Sequence, residues 1–274
     1  MTTINSLRTT GKSLLKEAGV DSYAIDADVL LMHVLGIDKN TLLISPDRPV
    51  GSADAERFME LINARCNKTP VQYLIGKCEF MSLEFAVNPH VLIPRPDTEV
   101  LVETILVAES NASGLEIGVG TGCISISLEH YGNNITMHGV DISPEAVGVA
   151  THNAGKRIFM VSDLFDNVSR GTLFDFIVSN PPYIETEEIE GLDSGVKDFE
   201  PRLALDGGVD GLDFYRRIVK QAREYLVSDG RIYFEIGYNQ ARAAGEILAA
   251  AGYVDIVVID DYAGKNRVVT ARRA

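Results

Sequence analysis

The turn Asn180-Pro181-Pro182-Tyr183, directly after the run FDFIVS at 174–179, holds the residues best suited to chemistry. Two successive prolines fix φ and remove two N–H donors, which makes a stiff backbone whose carbonyls point where the turn dictates. Asn180 adds a side-chain carbonyl acceptor. Together the Asn180 side chain and the Pro181 carbonyl can receive both hydrogens of one –NH2 group, while Tyr183 flanks a flat group. Such a site suits a poorly nucleophilic nitrogen, an amide or an aromatic amine whose lone pair is delocalised. Holding both N–H bonds aligns that nitrogen with an electrophile. The acceptors also favour the positive charge that grows on nitrogen during transfer. No strong base is needed beforehand, because the alkylated nitrogen is acidic and sheds its proton afterwards. The plainer reading is a rigid strand-end turn capped by Asn180. The turn lies about sixty residues after a glycine loop, on what reads as the same sheet, and that placement argues against the plainer reading.

The glycine loop is LEIGVGTG, with Glu116 ahead of Gly118, Val119, Gly120, Thr121 and Gly122. It follows a strand and opens a helix, and its small residues let a ligand approach the backbone closely. A carboxylate, Asp141, ends the next strand 19 residues after Gly122, where it can accept both hydroxyls of a ribose. A dinucleotide fingerprint would want glycine where Cys123 stands, and a phosphate loop would need Gly-Lys-Ser/Thr. The observed pattern, with its acid two residues ahead, instead resembles the first motif of S-adenosylmethionine-dependent methyltransferases. That resemblance implies that Glu116 faces the positively charged amino-acid end of the cofactor. Asp163 and Leu164 lie at the end of the third strand, where ligands border parallel sheets. Asp163 is placed to accept from an adenine amine or to cap a helix, and Leu164 to cover the ring.

These residues need a parallel sheet to bring them together. From Gly114 onward, strand and helix patterns alternate: strands at GLEI, ITMHGVD, RIFMVSDLF, LFDFIVS and GRIYFEIG, with helices such as CISISLEHY and the long GLDFYRRIVKQAREYLV between them. Alternation of this kind predicts an α/β fold with a doubly wound, mostly parallel seven-stranded sheet. Two final strands with no helix between them predict an antiparallel edge. Residues 1–75 read as a bundle of four or five helices, with Asp21 or Ser22, and Ser52, as candidate caps and Gly36 as a terminator. CEFMSLEFAVNP reads as a hairpin turning at Met81-Ser82, and Pro96 suits a first helical turn. The expected organisation is a helical docking domain at 1–75, a hairpin linker at 76–90 and a catalytic domain at 91–274.

Of the 274 residues, 46% are hydrophobic and 23% charged, and the formal net charge is -14. An acidic chain gains nothing from the counterion release that drives nucleic-acid binding, so a protein or small molecule is the expected partner. Cys66, Cys78 and Cys123 form no CxxC pair, and the five histidines show no HExxH spacing, so no metal site is expected. The first fifteen residues lack the core of a secretory signal, and no apolar run approaches the roughly 20 residues of a membrane span. A cytoplasmic location, no membrane contact and a monomer are expected.

PVQYLIG, VLIPRPDTEVLVE, NPPYI, EPRLALDGGVDGLDFYRRI and DYAGKNRVV closely resemble the HemK/PrmC family of peptide-chain-release-factor glutamine-N5 methyltransferases, in that family's order. The resemblance implies methylation of the glutamine in the Gly-Gly-Gln motif of class I release factors by S-adenosyl-L-methionine, giving S-adenosyl-L-homocysteine. Carried over, Gly118 to Gly122, Asp141, Leu164 and Asn180 would bind the cofactor. Asn180, Pro181, Pro182 and Tyr183 would hold the glutamine, with Asn180, Pro181 and Tyr183 as the catalytic set. Leu164 stands where a larger residue such as tryptophan is common, Asp97 where glutamate is common, and the connection at 150–157 is short for the family. Arg95 reads either as a helix-entry partner of Glu99 alone or as a residue that also touches substrate or cofactor. Arg95, Pro96, Thr98 and Glu99 favour this branch over ribosomal-protein glutamine-N5 methyltransferases. Methyltransferases acting on adenine N6 of DNA share the Asn-Pro-Pro-Tyr turn but would need a basic surface.

Overall fold

In a computed structural model that describes residues 2–155 and 159–274, the chain divides into two compact units. One holds the chain up to Lys77 together with Asp193–Phe199, and the other holds Cys78–Leu192 and Glu200–Ala274.

The first unit is built from α1 (Ile4–Glu17), α2 (Tyr23–Leu35), α3 (Lys39–Ile44), α4 (Ser52–Cys66) and α5 (Val71–Ile75). Thr3 and Ser6 form a reciprocal capping box at the start of α1, which satisfies two backbone donors that the helix leaves open. Gly36 ends α2 in the left-handed region, the role its position predicts. Ser52 is the first residue of α4 and Gly51 occupies the cap, so the expected serine cap is displaced by one residue. The core gathers Ile4, Leu15, Leu30, Leu31, Phe58 and Ile62. Asp26, 4% exposed, is held by Arg65 Nε at 2.7 Å and by Ser22 Oγ at 2.7 Å.

A hairpin of β1 (Lys77–Phe80) and β2 (Leu83–Ala86), which lies in the second unit from Cys78 onward, has turn residues Met81 and Ser82 that both take positive φ. Then follow α6 (Pro96–Ala108), β3 (Ser113–Ile117), α7 (Cys123–Tyr131), β4 (Thr136–Asp141), α8 (Pro144–Asn153), β5 (Met160–Val161) and β6 (Phe174–Ser179). After the short α9 (Ser194–Lys197), which belongs to the first unit, come α10 (Asp213–Ala222), β7 (Leu226–Glu235), α11 (Ala241–Ala250), β8 (Tyr253–Asp260) and β9 (Asn266–Arg273). The sheet order is β5-β4-β3-β6-β7-β9-β8, parallel except at β9, which runs antiparallel to both of its neighbours. The reversed strand therefore lies inside the sheet, and β8 forms the edge. No helix among the described residues is long and apolar enough to cross a membrane.

Alternation along the strands feeds two cores. Ile232 and Phe234 enter the one that also holds Tyr215, Ile218 and Leu248, while Tyr233 enters the one built on Leu101, Ile105 and Leu128. Gly114 lies in β3 under the Phe176 ring, where an added Cβ would sit 2.3 Å from a ring carbon. Two expected elements are shorter. Of RIFMVSDLF, only Met160–Val161 is strand among the described residues, and the short connection at 150–157 falls partly outside them. The helix expected over 211–227 ends at Ala222, because Leu226, wholly buried, pairs with Phe174 as the first residue of β7.

Candidate active site

Four parallel strands end on the same side of the sheet, and each delivers one part of the site. Beyond β3, Gly118, Gly120 and Gly122 all take positive φ, between 51° and 80°, a region that L side chains avoid. A Cβ added at Gly118 or Gly120 would meet no protein atom within 4 Å, so the space before them is open. Gly122 differs, since a Cβ there would press on Ile126, Ala150 and Phe159. It serves helix–sheet packing.

Asp141 ends β4 and ties the loop down. One carboxylate oxygen accepts from Gly120 N at 2.9 Å and the other from Ser143 N at 2.9 Å. Burial raises its pKa, against the pull of those backbone donors. Each oxygen keeps a further lone pair for a ligand hydroxyl. Glu116, 1% exposed, accepts from both the backbone N–H and the hydroxyl of Ser125, which fixes its carboxylate beneath the loop.

A cavity of about 330 Å³ is lined by Glu116, the loop 118–121, Asp141, Leu164, Asn180 and Pro181, among others. That volume lies in the range of small-molecule sites. Leu164 is buried against the sheet core with φ 51°, strained for a leucine, and presents an apolar wall. Ile142, 47% exposed, lines the same cavity. Asp163 also lines it, but no helix begins there, so the expected cap is absent. Both of its oxygens instead accept from Arg217 Nη2 at 2.8 Å. The fit to S-adenosylmethionine is good in kind: a buried acid, a glycine cradle without side chains, an acid at the end of β4 and apolar walls.

Beyond β6, the Ser179 hydroxyl donates to Ile117 O at 2.7 Å, which locks this strand end to β3. Asn180, Pro181 and Pro182 line the cavity. Asn180 Nδ2 donates to Thr98 Oγ1 at 3.3 Å. Tyr183 turns back against the core, with its hydroxyl 3.5 Å from Glu235 Oε1. Burial first and the Glu235 charge second push that hydroxyl up to about 12, so it stays neutral.

The turn is clamped from behind. Ile184 N donates to Leu205 O at 3.0 Å, Gly207 N to Ile184 O at 2.8 Å, and Gln240 Nε2 to Tyr183 O at 2.9 Å. Gly207 and Gly211 pass so close that an added Cβ would fall 2.8 Å from Pro182 O and 2.4 Å from Tyr183 O respectively. These supports were missed by sequence reasoning, although the glycines of LALDGGVDG mark such a close approach.

Arg95 lines the cavity and pairs with Glu200, while Glu99 accepts from Met81 N at 2.7 Å. The expected Arg95–Glu99 pair is thus replaced, because the hairpin turn claims Glu99. Burial raises Glu200, and its pairing with Arg95 opposes that shift. Arg267, which comes from β9, contacts Asp97 at 2.9 Å and Asp261 at 3.3 Å.

Comparison with known proteins identifies the family. Residues 6–76 match the PrmC N-terminal domain and residues 96–192 the methyltransferase small domain. The chain is 41% identical over 273 residues to a release factor glutamine methyltransferase of Clostridium botulinum, covering 96% of each chain. It is 39% identical over 265 residues to a protein of the same name from Geobacter sulfurreducens, covering 95% of this chain and 93% of that one. A methyltransferase crystal structure from Pyrococcus furiosus shares the fold, with a TM-score of 0.54 at 17% identity over 82% of this chain and 100% of that one. With such identity along nearly its whole length, this chain belongs to the release factor glutamine methyltransferase family.

Proposed function

We propose that this protein methylates N5 of the glutamine in the Gly-Gly-Gln motif of class I release factors. The observation that carries the reading is the state of the Asn180 carboxamide. Its Nδ2 is committed to Thr98, while its Oδ1 accepts from no group among the described residues, in a side chain that lines the glycine-loop cavity. Glu116, the loop from Gly118 to Gly122, Asp141 and Leu164 would hold S-adenosyl-L-methionine, with Asp163 and Ile142 at the adenine side. When bound, it supplies an electrophilic methyl whose broken C–S bond leaves its electron pair on sulfur, giving S-adenosyl-L-homocysteine.

The rest is orientation. Asn180 Oδ1 and the Pro181 carbonyl accept the two amide N–H bonds and aim the nitrogen, while Pro182 and Tyr183 keep the turn rigid. The nitrogen gains the methyl and then sheds one proton to water. A neutral Tyr183 hydroxyl is no base for it, in keeping with a reaction that depends on placement.

The helical unit is read as a docking element for the body of the release factor. It exposes Ile25, Leu43 and Ile44, at 69%, 51% and 79%. The net charge of -14 favours a basic partner and faster encounter. A monomer acting in the cytoplasm fits this reading.

The test is to incubate the protein with methyl-labelled S-adenosylmethionine and a class I release factor, then to map the label by mass spectrometry. One methyl on the Gly-Gly-Gln glutamine, absent when that glutamine is replaced, supports the reading. An unlabelled release factor, with label on a ribosomal protein or DNA offered in parallel, overturns it.

A further inference from the structure

We propose that Asn153, the last residue of α8, is a positioning residue that keeps the glycine loop in register with the strap of residues 87–95, and this rests on the cofactor site just described. The strap follows β2 and brings Pro89, His90, Leu92 and Arg95 to the cavity that the loop 118–121 also lines. Three glycines of positive φ leave the loop with little stiffness of its own, because no side chain limits their conformers. Two separate segments must therefore be held together for one cofactor to meet both.

One planar carboxamide holds them. Asn153 Oδ1 accepts from Ala86 N at 2.8 Å, and Nδ2 donates to Ala86 O at 3.0 Å and to Thr121 O at 3.0 Å. The side chain thus pairs with both backbone groups of Ala86, the last residue of β2, as a residue of a neighbouring strand would. Its second N–H is what reaches the glycine loop. Ala86 sets the orientation: only an oxygen can accept from its N–H, so the nitrogen must face the two carbonyls. Thr121 is 3% exposed and lines the cavity. Asn153 does not line it, so any effect on the cofactor passes through the loop.

The same helix grips the loop at its other end. Asp141 accepts from Gly120 N and from Ser143 N, and the Ser143 hydroxyl accepts from Ala146 N at 3.1 Å as the cap of α8. Ala150, one turn before Asn153, is wholly buried, and a Cβ added at Gly122 would fall 3.3 Å from its methyl. One end of α8 therefore acts on the N–H of Gly120 through Asp141, and the other on the carbonyl of the next residue through Asn153. On the strap side, Asn88 turns the chain two residues after Ala86, with its Oδ1 accepting from His90 N at 2.9 Å. Val91 and Ile93 are buried, so the place of Ala86 determines where His90 and Leu92 stand. Removal of the Asn153 side chain would free the Thr121 end of the loop from β2 and leave the bond from Gly120 to Asp141 in place.

The experiment compares Asn153→Ala and Asn153→Asp with the wild type, and His152→Ala, at an exposed neighbour on α8, is the control. Wild-type methylation of the Gly-Gly-Gln glutamine is checked first, and its absence would sink the functional reading while leaving the binding measurements to judge Asn153. Asn153→Ala should weaken S-adenosylhomocysteine binding by calorimetry roughly 10-fold and raise KM for S-adenosylmethionine in step, with KM for release factor within about 3-fold. Asn153→Asp keeps the shape and the acceptor for Ala86 N but sets a carboxylate against two carbonyls, so it should bind no better than the alanine variant. His152→Ala should stay within about 2-fold of wild type. In the wild type, ¹⁵N NMR should show the Asn153 side-chain –NH2 protons slow to exchange, and slower still with S-adenosylhomocysteine bound, a measurement that decides even where a variant fails to fold. A folded Asn153→Ala protein with wild-type affinity, an aspartate variant as tight as wild type, equal rises in both KM values, or side-chain protons indifferent to the cofactor would each overturn the proposal.

Discussion

Gly207→Ala tests whether rigidity of the Asn180–Tyr183 turn, proposed to hold the substrate, sets the rate more than any acid or base. Gly207 needs no left-handed backbone, so alanine adds only a methyl group. That methyl would lie 2.8 Å from Pro182 O, 2.8 Å from Tyr183 Cα and 2.9 Å from Gly211 Cα, and all three are backbone atoms. Ordinary contact begins near 3.4 Å, so the Pro182 carbonyl must retreat by about 0.6 Å. The other side cannot swing away freely. Gly207 N is bonded to Ile184 O, and Gly207 O accepts from Asp213 N at the head of α10.

A catalytic constellation tolerates displacements of about 0.5 Å, and a shift of 1 Å can cost a factor of about 10². The expected result is a fall in kcat of roughly 10- to 100-fold, about 1.4–2.8 kcal/mol of barrier. Overpacking should lower stability by about 1–3 kcal/mol. The glycine loop and Asp141 take no part in this contact, so S-adenosylhomocysteine affinity should stay within about 3-fold by calorimetry. Gly148→Ala is the control, since its methyl would meet nothing within 4 Å on α8. Steady-state methylation with excess release factor measures kcat, and thermal unfolding confirms the fold. A folded Gly207→Ala enzyme with kcat within 2-fold of wild type would refute the reasoning.

Glu235 is raised from 4.5 to about 7 by burial, so its contribution to stability is fully present below pH 4.5 and is lost as pH rises through 7. The wild type should therefore lose more stability between pH 5 and pH 8 than Glu235→Gln, by an amount on the order of 3 kcal/mol. Differential scanning calorimetry of both proteins measures it, and parallel curves would contradict the burial argument. Asp163→Ala should change stability by less than about 1 kcal/mol, because its pair with Arg217 is nearly half exposed. The same change should weaken cofactor binding roughly 5- to 10-fold if Asp163 meets the adenine amine, and an unchanged calorimetric Kd would remove it from the site. Ile44→Glu, at a 79% exposed position in α3, should raise KM for intact release factor several-fold and leave kcat on a short Gly-Gly-Gln peptide unaltered. Equal KM values on both substrates would argue against docking there.

What the chain reveals without coordinates is what its neighbours in sequence enforce. The glycine loop, the acid ending β4 and the Asn-Pro-Pro-Tyr turn are legible because their backbone demands are local, and the alternation of strands and helices places them on one edge. The reversal at β9 is only half legible. Two helix-free strands announce an antiparallel pair, but nothing in them tells which strand inserts beside β7. Partners across the sheet are harder still. Arg95 and Glu99 are four apart on a helix start and look like a pair, yet Glu99 is taken by the hairpin backbone and Arg95 by Glu200.

The same limit explains why family motifs without evident chemistry stay mute until folded. LALDGGVDG holds Gly207 and Gly211 because Pro182 and Tyr183 leave no room for a side chain at either. DYAGKNRVV carries Arg267 to Asp97 and toward the buried Glu235. Thr98 stands in a run that reads as an ordinary helix entry, and only the structure brings its hydroxyl to Asn180. In a site whose chemistry is placement, the groups that touch substrate can be few and local, while the groups that hold them must come from every strand end. The supports are therefore spread along the whole chain, and a substitution distant in sequence from Asn180 can slow the reaction as much as one beside it.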